Sequence, residues 1–122
     1  MELRVSGTNV LAEWIEIAGN DDVVSYVDFS AFKRKGNKVK MWSLGNFKTF
    51  QKSENEMYLS SVSRDEYDCK EKTIRQLDLY LYSGNMKIGN VVWSKTNIKT
   101  EATSIMPMTF IETLFKIACG KR

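Results

Sequence analysis

The chain contains no histidine, only one proline and only two cysteines. Without histidine, a serine or cysteine nucleophile lacks its most common general base, and a metal ion lacks its most common nitrogen ligand. The cysteines, Cys69 and Cys119, lie far apart and form no Cys-x-x-Cys motif. We therefore predict neither a metal site nor a cofactor.

Long apolar segments are also missing. No apolar run approaches the ~18 residues that a membrane-spanning helix needs. The first residues, MELRVSGTNVLAEW, have neither the basic segment nor the long apolar stretch of a secretion signal. We interpret residues 1–12 as a leader, either artificial or left from a removed export signal, and residues 13–122 as a single domain.

Charge of one sign is not concentrated in the chain as a whole. The 18 basic residues are offset by 15 acidic ones, for a net charge of +3, so no nucleic-acid partner is predicted. The glycines form neither a dinucleotide-binding motif nor a P-loop. The densest carboxylate group is Asp65, Glu66 and Asp68, and strand alternation places Asp65 on the opposite face from the other two, which favours solvated side chains over an acid–base pair.

Strand periodicity and turn residues predict the fold class. The segments bounded by turn chemistry form an antiparallel sheet of about six strands, and residues 30–35 and 46–56 are predicted to be irregular or loop. One C-terminal helix packs on the sheet, so the class is α+β. The six predicted strands are 12–19, 23–29, 38–44, 57–69, 73–84 and 89–94.

Only the tail has helical spacing. Apolar residues recur at three- and four-residue intervals from Met108, and Thr109 with Glu112 forms a capping box. Gly120 suits the end of the helix. Cys119 lies four residues after Phe115 and is therefore expected on the buried side of the helix.

The two cysteines allow two interpretations. Cys69 ends the fourth predicted strand, and the inward-facing Cys119 reaches it if the helix crosses that face, which favours a disulfide. A disulfide in turn favours a compartment outside the cytosol. The alternative is a pair of buried free thiols, because cysteine is often buried without oxidation.

Several segments, taken in order, resemble the surface-adhesin protein E family of Gram-negative bacteria. They include EWIEI, SYVDFSAFKRKGNKVKMWSL, the strand end YDCK and the helix end ACGK. The resemblance spans Glu13 to Arg122. It implies an exported protein, a mainly antiparallel sheet with a C-terminal helix tied to it by a disulfide, and, for the family's namesake, dimerisation and adhesion to host matrix proteins.

Two surfaces are candidates for binding. A basic cluster around the Lys-Gly-Asn turn is suited to acidic ligands, although a solubilising turn has the same composition. Tyr80 and Tyr82 alternate with Leu79 and Leu81, so a one-layer sheet would expose the tyrosines as a stripe that a second copy of the chain could cover. The cluster consists of Lys33, Arg34, Lys35, Lys38 and Lys40.

We therefore expect a non-catalytic exported binding module. Its partners would be host extracellular matrix or envelope proteins and a second copy of itself, and its location the periplasm or the outer-membrane surface of a Gram-negative bacterium. Two alternatives stay open at this point. One is a small periplasmic enzyme with a Ser-Lys site, and the other is a purely structural envelope protein.

Overall fold

Residues 13–120 are described by the computed structural model of the chain. The predicted leader, residues 1–12, lies outside the described residues. Within the described range the chain forms strands and one helix, which confirms the α+β class. The strands are β1 (Trp14–Gly19), β2 (Val23–Asp28), β3 (Lys33–Lys35), β4 (Lys38–Ser53), β5 (Glu56–Asp68), β6 (Thr73–Tyr82), β7 (Val91–Lys95) and β8 (Thr103–Ser104), and the helix is α1 (Phe110–Cys119).

All strand pairs are antiparallel. The six longer strands follow the order β1-β2-β4-β5-β6-β7, β3 adds to β4, and β8 adds to β6. Sequential neighbours therefore pair almost throughout, as expected for a meander of hairpins. The six-stranded prediction is confirmed, and two short strands join it at the sides.

Two predicted irregular segments are wrong. β4 continues to Ser53 through the predicted loop, and its last three residues pair with β5. The outer part of β4 is largely exposed, so its polar sequence did not show the apolar alternation that predicts a strand. Its two-residue turn places Glu54 at a φ of 55°, so no glycine marks it. The other segment, residues 30–35, begins inside a 3₁₀ turn at Phe29–Ala31 and ends with β3. The chain then turns back from β3 to β4 at Gly36, which adopts a φ of 61°.

The helix covers one face of the sheet. Its side chains pack on strand residues that alternate inward from β2, β4 and β5, and the rings of Tyr67 and Phe115 lie 6.4 Å apart. Burial of this apolar area provides the main stabilisation of the domain. The buried cluster between the helix and the sheet consists of Val27, Val39, Met41 and Tyr67 from the sheet and Leu114 and Ala118 from α1.

The predicted capping residues start the helix. The Thr109 hydroxyl accepts a hydrogen bond from the Glu112 N–H at 3.2 Å, and the Glu112 carboxylate accepts one from the Met108 N–H at 2.9 Å. These bonds satisfy donors at a helix end that otherwise lack partners. Met108 itself lies before the helix and is 95% exposed, so the expected apolar stripe begins later than predicted.

The disulfide prediction is confirmed. Cys69 and Cys119 are bonded, with their Cα atoms 5.6 Å apart. Cys69 directly follows β5, and its N–H donates to the Asn37 carbonyl at 2.8 Å. The bond therefore joins the end of α1 to the end of β5 beside the β3–β4 turn.

Replacing both cysteines by alanine should lower the free energy of unfolding by about 4 kcal/mol, because the bond closes a long loop in the unfolded chain. Urea unfolding monitored by tryptophan fluorescence measures this change. As a control, reductant should add the mass of two hydrogen atoms to the wild-type chain and nothing to the variant. A loss below about 1 kcal/mol would contradict the predicted role of the bond.

Candidate functional site

The sheet face turned away from α1 carries a cleft with aromatic walls. Leu79 lines a cavity beneath the helix together with Leu114, whereas the next residue, Tyr80, pairs with Val62 and points to the other side. The cleft on that other side has a volume of about 330 Å³. We call it the aromatic cleft, and it is lined by Trp14, Asp28, Ala31, Trp42, Val62, Tyr80, Tyr82 and Lys87.

The walls of the aromatic cleft are fixed by their neighbours. The rings of Trp42 and Tyr80 lie 6.3 Å apart, and the Arg64 guanidinium lies 5.8 Å from the Trp42 ring centre. Arg64 is held in turn by Asp78, with a distance of 2.7 Å from Nε to Oδ2. Asp78 also accepts the Asn97 N–H at 2.9 Å. The cation–π contact with Arg64 and the ion pair between Arg64 and Asp78 favour one orientation of the Trp42 ring.

Polar groups stand at the edge of the aromatic cleft. Asp28 is 5% exposed, and its Oδ1 accepts the Ser30 N–H at 2.9 Å. Within residues 13–120 its second oxygen accepts no hydrogen bond, while Lys87 is exposed on the rim. A mainly aromatic surface with a few fixed polar groups is typical of a binding site.

The tyrosines predicted to form a dimer face both lie in this cleft. They are half-buried and therefore more enclosed than the fully exposed stripe that a bare sheet would give. Burial raises the pKa of the Tyr82 phenol, and the neighbouring Tyr80 adds to the shift. The neutral phenol of a tyrosine can donate a hydrogen bond.

The predicted basic cluster is brought together on one two-stranded ribbon. All three residues of β3 and two residues at the start of β4 belong to it, and Lys33 pairs with Lys40 while Lys35 pairs with Lys38. With Glu66 these side chains line a cleft of about 500 Å³. We call this surface the basic ribbon, and it consists of Lys33, Arg34, Lys35, Lys38 and Lys40.

A third cavity lies beneath α1 and is lined by serines. Asp65 is 5% exposed there and accepts the Ser63 hydroxyl at 2.9 Å, so the expectation of a solvated side chain is wrong for Asp65. Burial raises its pKa to about 6, which the Ser63 hydrogen bond partly offsets. No lysine occurs among the described residues that line this cavity, so it offers no base for the Ser-Lys hypothesis.

The sequence did not reveal the aromatic cleft as one site. Its lining comes from β1, β2, β4, β5 and β6, and which strands pair is not visible in the alternation of any one strand. The available signal was weaker: Trp14 and Trp42 lie in predicted strands. Asp28 and Lys87 carried no signal, because each comes from the end of a strand or from a loop.

Comparisons with known proteins identify a family and a similar fold. The sequence model of the surface-adhesin protein E family matches residues 14–120. The fold is similar to crystal form II of Haemophilus influenzae protein E, with a TM-score of 0.65 and 16% identity over 97% of this chain and 96% of that one. A second protein E structure from this species gives 0.62 and 16% over 95% and 90%, and one from a non-typeable strain gives 0.59 and 16% over 96% and 82%.

The chain belongs to the surface-adhesin protein E family. No curated protein sequence matches it. Between residues 13 and 120, no helix is long and apolar enough to cross a membrane. In the same range, no group of three or more histidine, cysteine or acidic residues is arranged to hold a metal ion.

Replacing Asp65 by asparagine should change how stability depends on pH. The folded wild type favours the protonated carboxyl, so its free energy of unfolding should fall as pH rises from about 4 to about 6, by up to ~3 kcal/mol, and then level off. Chemical denaturation across this range should show the variant gaining on the wild type with rising pH. Asp21→Asn, at an exposed position, serves as the control. If the difference in free energy of unfolding between wild type and Asp65→Asn did not change with pH, the proposed effect of burial would be contradicted.

Proposed function

We propose that the protein is a non-catalytic, adhesin-like binding module that binds a partner protein through the aromatic cleft. The observation that carries this proposal is the one-sided sheet: α1 packs on one face, and the other face presents tryptophan and tyrosine side chains around a cleft. Tyrosine and tryptophan are the residues most enriched at the centres of protein interfaces.

Preorganisation supports binding at this cleft. Arg64 and Asp78 already hold Trp42, and the disulfide holds α1 against the reverse face. A surface whose side chains are ordered before contact loses less conformational entropy on association. The cleft therefore favours recognition by shape.

The proposed location is outside the cytosol, in the periplasm or on the outer-membrane surface of a Gram-negative bacterium. Membership of a surface-adhesin family and an intramolecular disulfide both support export. The proposed partners are host extracellular matrix proteins or proteins of the bacterial envelope. An enzyme with a Ser-Lys site and a purely structural envelope protein are the competing functions.

Substitution in the aromatic cleft should weaken partner binding. With purified extracellular matrix and envelope proteins immobilised one at a time, Trp14→Ala combined with Tyr82→Ala should weaken capture of the protein about tenfold or more. The matched control is Phe50→Ala, which removes an aromatic side chain that is 58% exposed on the distant β4–β5 arm. The proposal would be contradicted if only the Phe50→Ala control lost binding. It would also be contradicted if none of the immobilised proteins captured the wild type.

Self-association is a second candidate use of the same face. Tyr80 and Tyr82 lie on the sheet face that α1 leaves uncovered, and a twofold interface needs only one self-complementary patch. Because the cleft and the dimer face share these tyrosines, dimerisation and partner binding would compete.

Sedimentation equilibrium tests the dimer. The apparent mass should rise with concentration from the monomer mass of 14.1 kDa toward twice that value. Tyr82→Lys should keep the protein monomeric, because a twofold axis brings two copies of the new charge together. A wild-type mass that stays at the monomer value at every concentration would rule out the dimer.

A further inference from the structure

We propose that the basic ribbon is a second binding site, for a linear sulfated polysaccharide. This site lies outside the aromatic cleft, and the inference goes beyond the proposed protein binding and does not depend on it. The strand register places the four lysines of the ribbon on one side, and together with Arg34 they line a cleft of about 500 Å³.

Like charges face each other across the ribbon. Lys33 lies directly opposite Lys40, and Lys35 lies directly opposite Lys38. Like charges directly opposite each other on neighbouring strands destabilise the pairing of those strands. A turn that only needs to be soluble gains nothing from this arrangement, because alternating charges would serve equally well and would stabilise the pairing.

The nearest carboxylates are engaged elsewhere. The strand register places Glu66 opposite Lys40 and Asp68 opposite Lys38. Glu66, however, pairs with Arg75 at 3.1 Å, and Asp68 caps the β5–β6 turn.

Asp68 holds that turn by accepting the backbone N–H groups of Lys70 and Glu71 at 3.0 and 2.9 Å. As a result, no cation of the basic ribbon forms an ion pair in the part of the chain that the structure describes. Their charge is available to an external anion.

The ribbon is held rigid where it meets the rest of the domain. Gly36 closes its two-residue turn, the Asn37 carbonyl accepts the Cys69 N–H at 2.8 Å, and Cys69 is itself fixed by the disulfide. The sheet therefore fixes the spacing of the backbone positions that carry the lysines, at ~4.8 Å across strands and ~6.7 Å along them. A rigid backbone leaves only the side chains to be ordered when a polyanion binds.

The composition of the cleft selects among anionic ligands. No aromatic residue is among the described side chains that line it, so it lacks the stacking surfaces on which single-stranded nucleic acids depend. A bilayer is flat and reaches only the rim of a cleft, whereas a narrow chain with repeated sulfate groups can enter it. Lysine, which supplies four of the five cations, acts as a mobile point charge suited to sulfates on a flexible chain.

Titration calorimetry with a heparin octasaccharide tests this site. The ribbon variant carries Lys33→Gln, Lys35→Gln, Lys38→Gln and Lys40→Gln, and the matched control carries Lys48→Gln, Lys52→Gln, Lys95→Gln and Lys99→Gln. Both remove four positive charges, so non-specific attraction falls equally. The ribbon variant should lose affinity about tenfold or more, and the control about twofold or less.

Salt dependence gives an independent measure. For the wild type, the logarithm of the association constant should fall with the logarithm of salt concentration with a slope of about −3, and the ribbon variant should lose most of that slope. Circular dichroism establishes that each variant is folded. If the fourfold variant does not fold, the double variant Lys35→Gln and Lys38→Gln tests the proposal instead. The magnitude of its salt-dependence slope should be smaller than that of the wild type by about two.

Three results would overturn the proposal. They are equal losses in the ribbon and control variants, no binding of the octasaccharide by the wild type, and binding to phosphatidylglycerol vesicles without binding to the octasaccharide. The Trp14→Ala and Tyr82→Ala variant should bind the octasaccharide as the wild type does. That result separates this site from the aromatic cleft, so either proposal can fail alone.

Discussion

The covalent bond between Cys69 and Cys119 holds the C-terminal end of α1 against the end of β5. A ten-residue helix is marginal in water by itself, so its stability depends on packing and on this attachment. Once the helix is held, Leu114 and Ala118 bury the inward residues of β2, β4 and β5. The bond and this packing together hold α1 on that face, and the opposite face carries the aromatic cleft.

The open face and the β3–β4 ribbon use this scaffold in different ways. The aromatic cleft combines rings that are fixed by ion-pair and cation–π contacts, which suits recognition by shape and apolar contact. The basic ribbon gathers cations that form no ion pair within residues 13–120, at register positions where like charges repel each other, which suits attraction of an anionic chain. The two surfaces lie on one sheet, and each has a composition suited to binding.

Sequence reasoning succeeded where a signal is local. The capping pair Thr109 and Glu112 and the helical spacing after them predicted α1, and the inward side of that helix predicted the partner of Cys119. Strand periodicity likewise predicted six strands, although not which strands pair. The basic ribbon was predictable because its residues are neighbours in sequence, and a turn brings them together.

It failed where the cause is tertiary. The outer half of β4 is held by pairing with β5 and carries no burial pattern, and Glu54 turns the hairpin without a glycine. Asp65 is an acidic residue that the strand pattern predicts to be solvated, but it is buried in the cavity beneath α1. No local sequence pattern predicts that burial. The aromatic cleft draws on five strands, so it exists only after the sheet has formed.

Hydrogen exchange of the native protein, with the disulfide intact and after reduction and alkylation, tests the central claim most directly. We predict that reduction speeds exchange of the amides in α1 at least about tenfold, because an untethered helix opens more often. The amides around Leu44 and Val62, in the β4–β5 pairing on the open face, should stay protected in both states. Equal protection of α1 in the two states would contradict the claim that this bond keeps the helix on its face of the sheet.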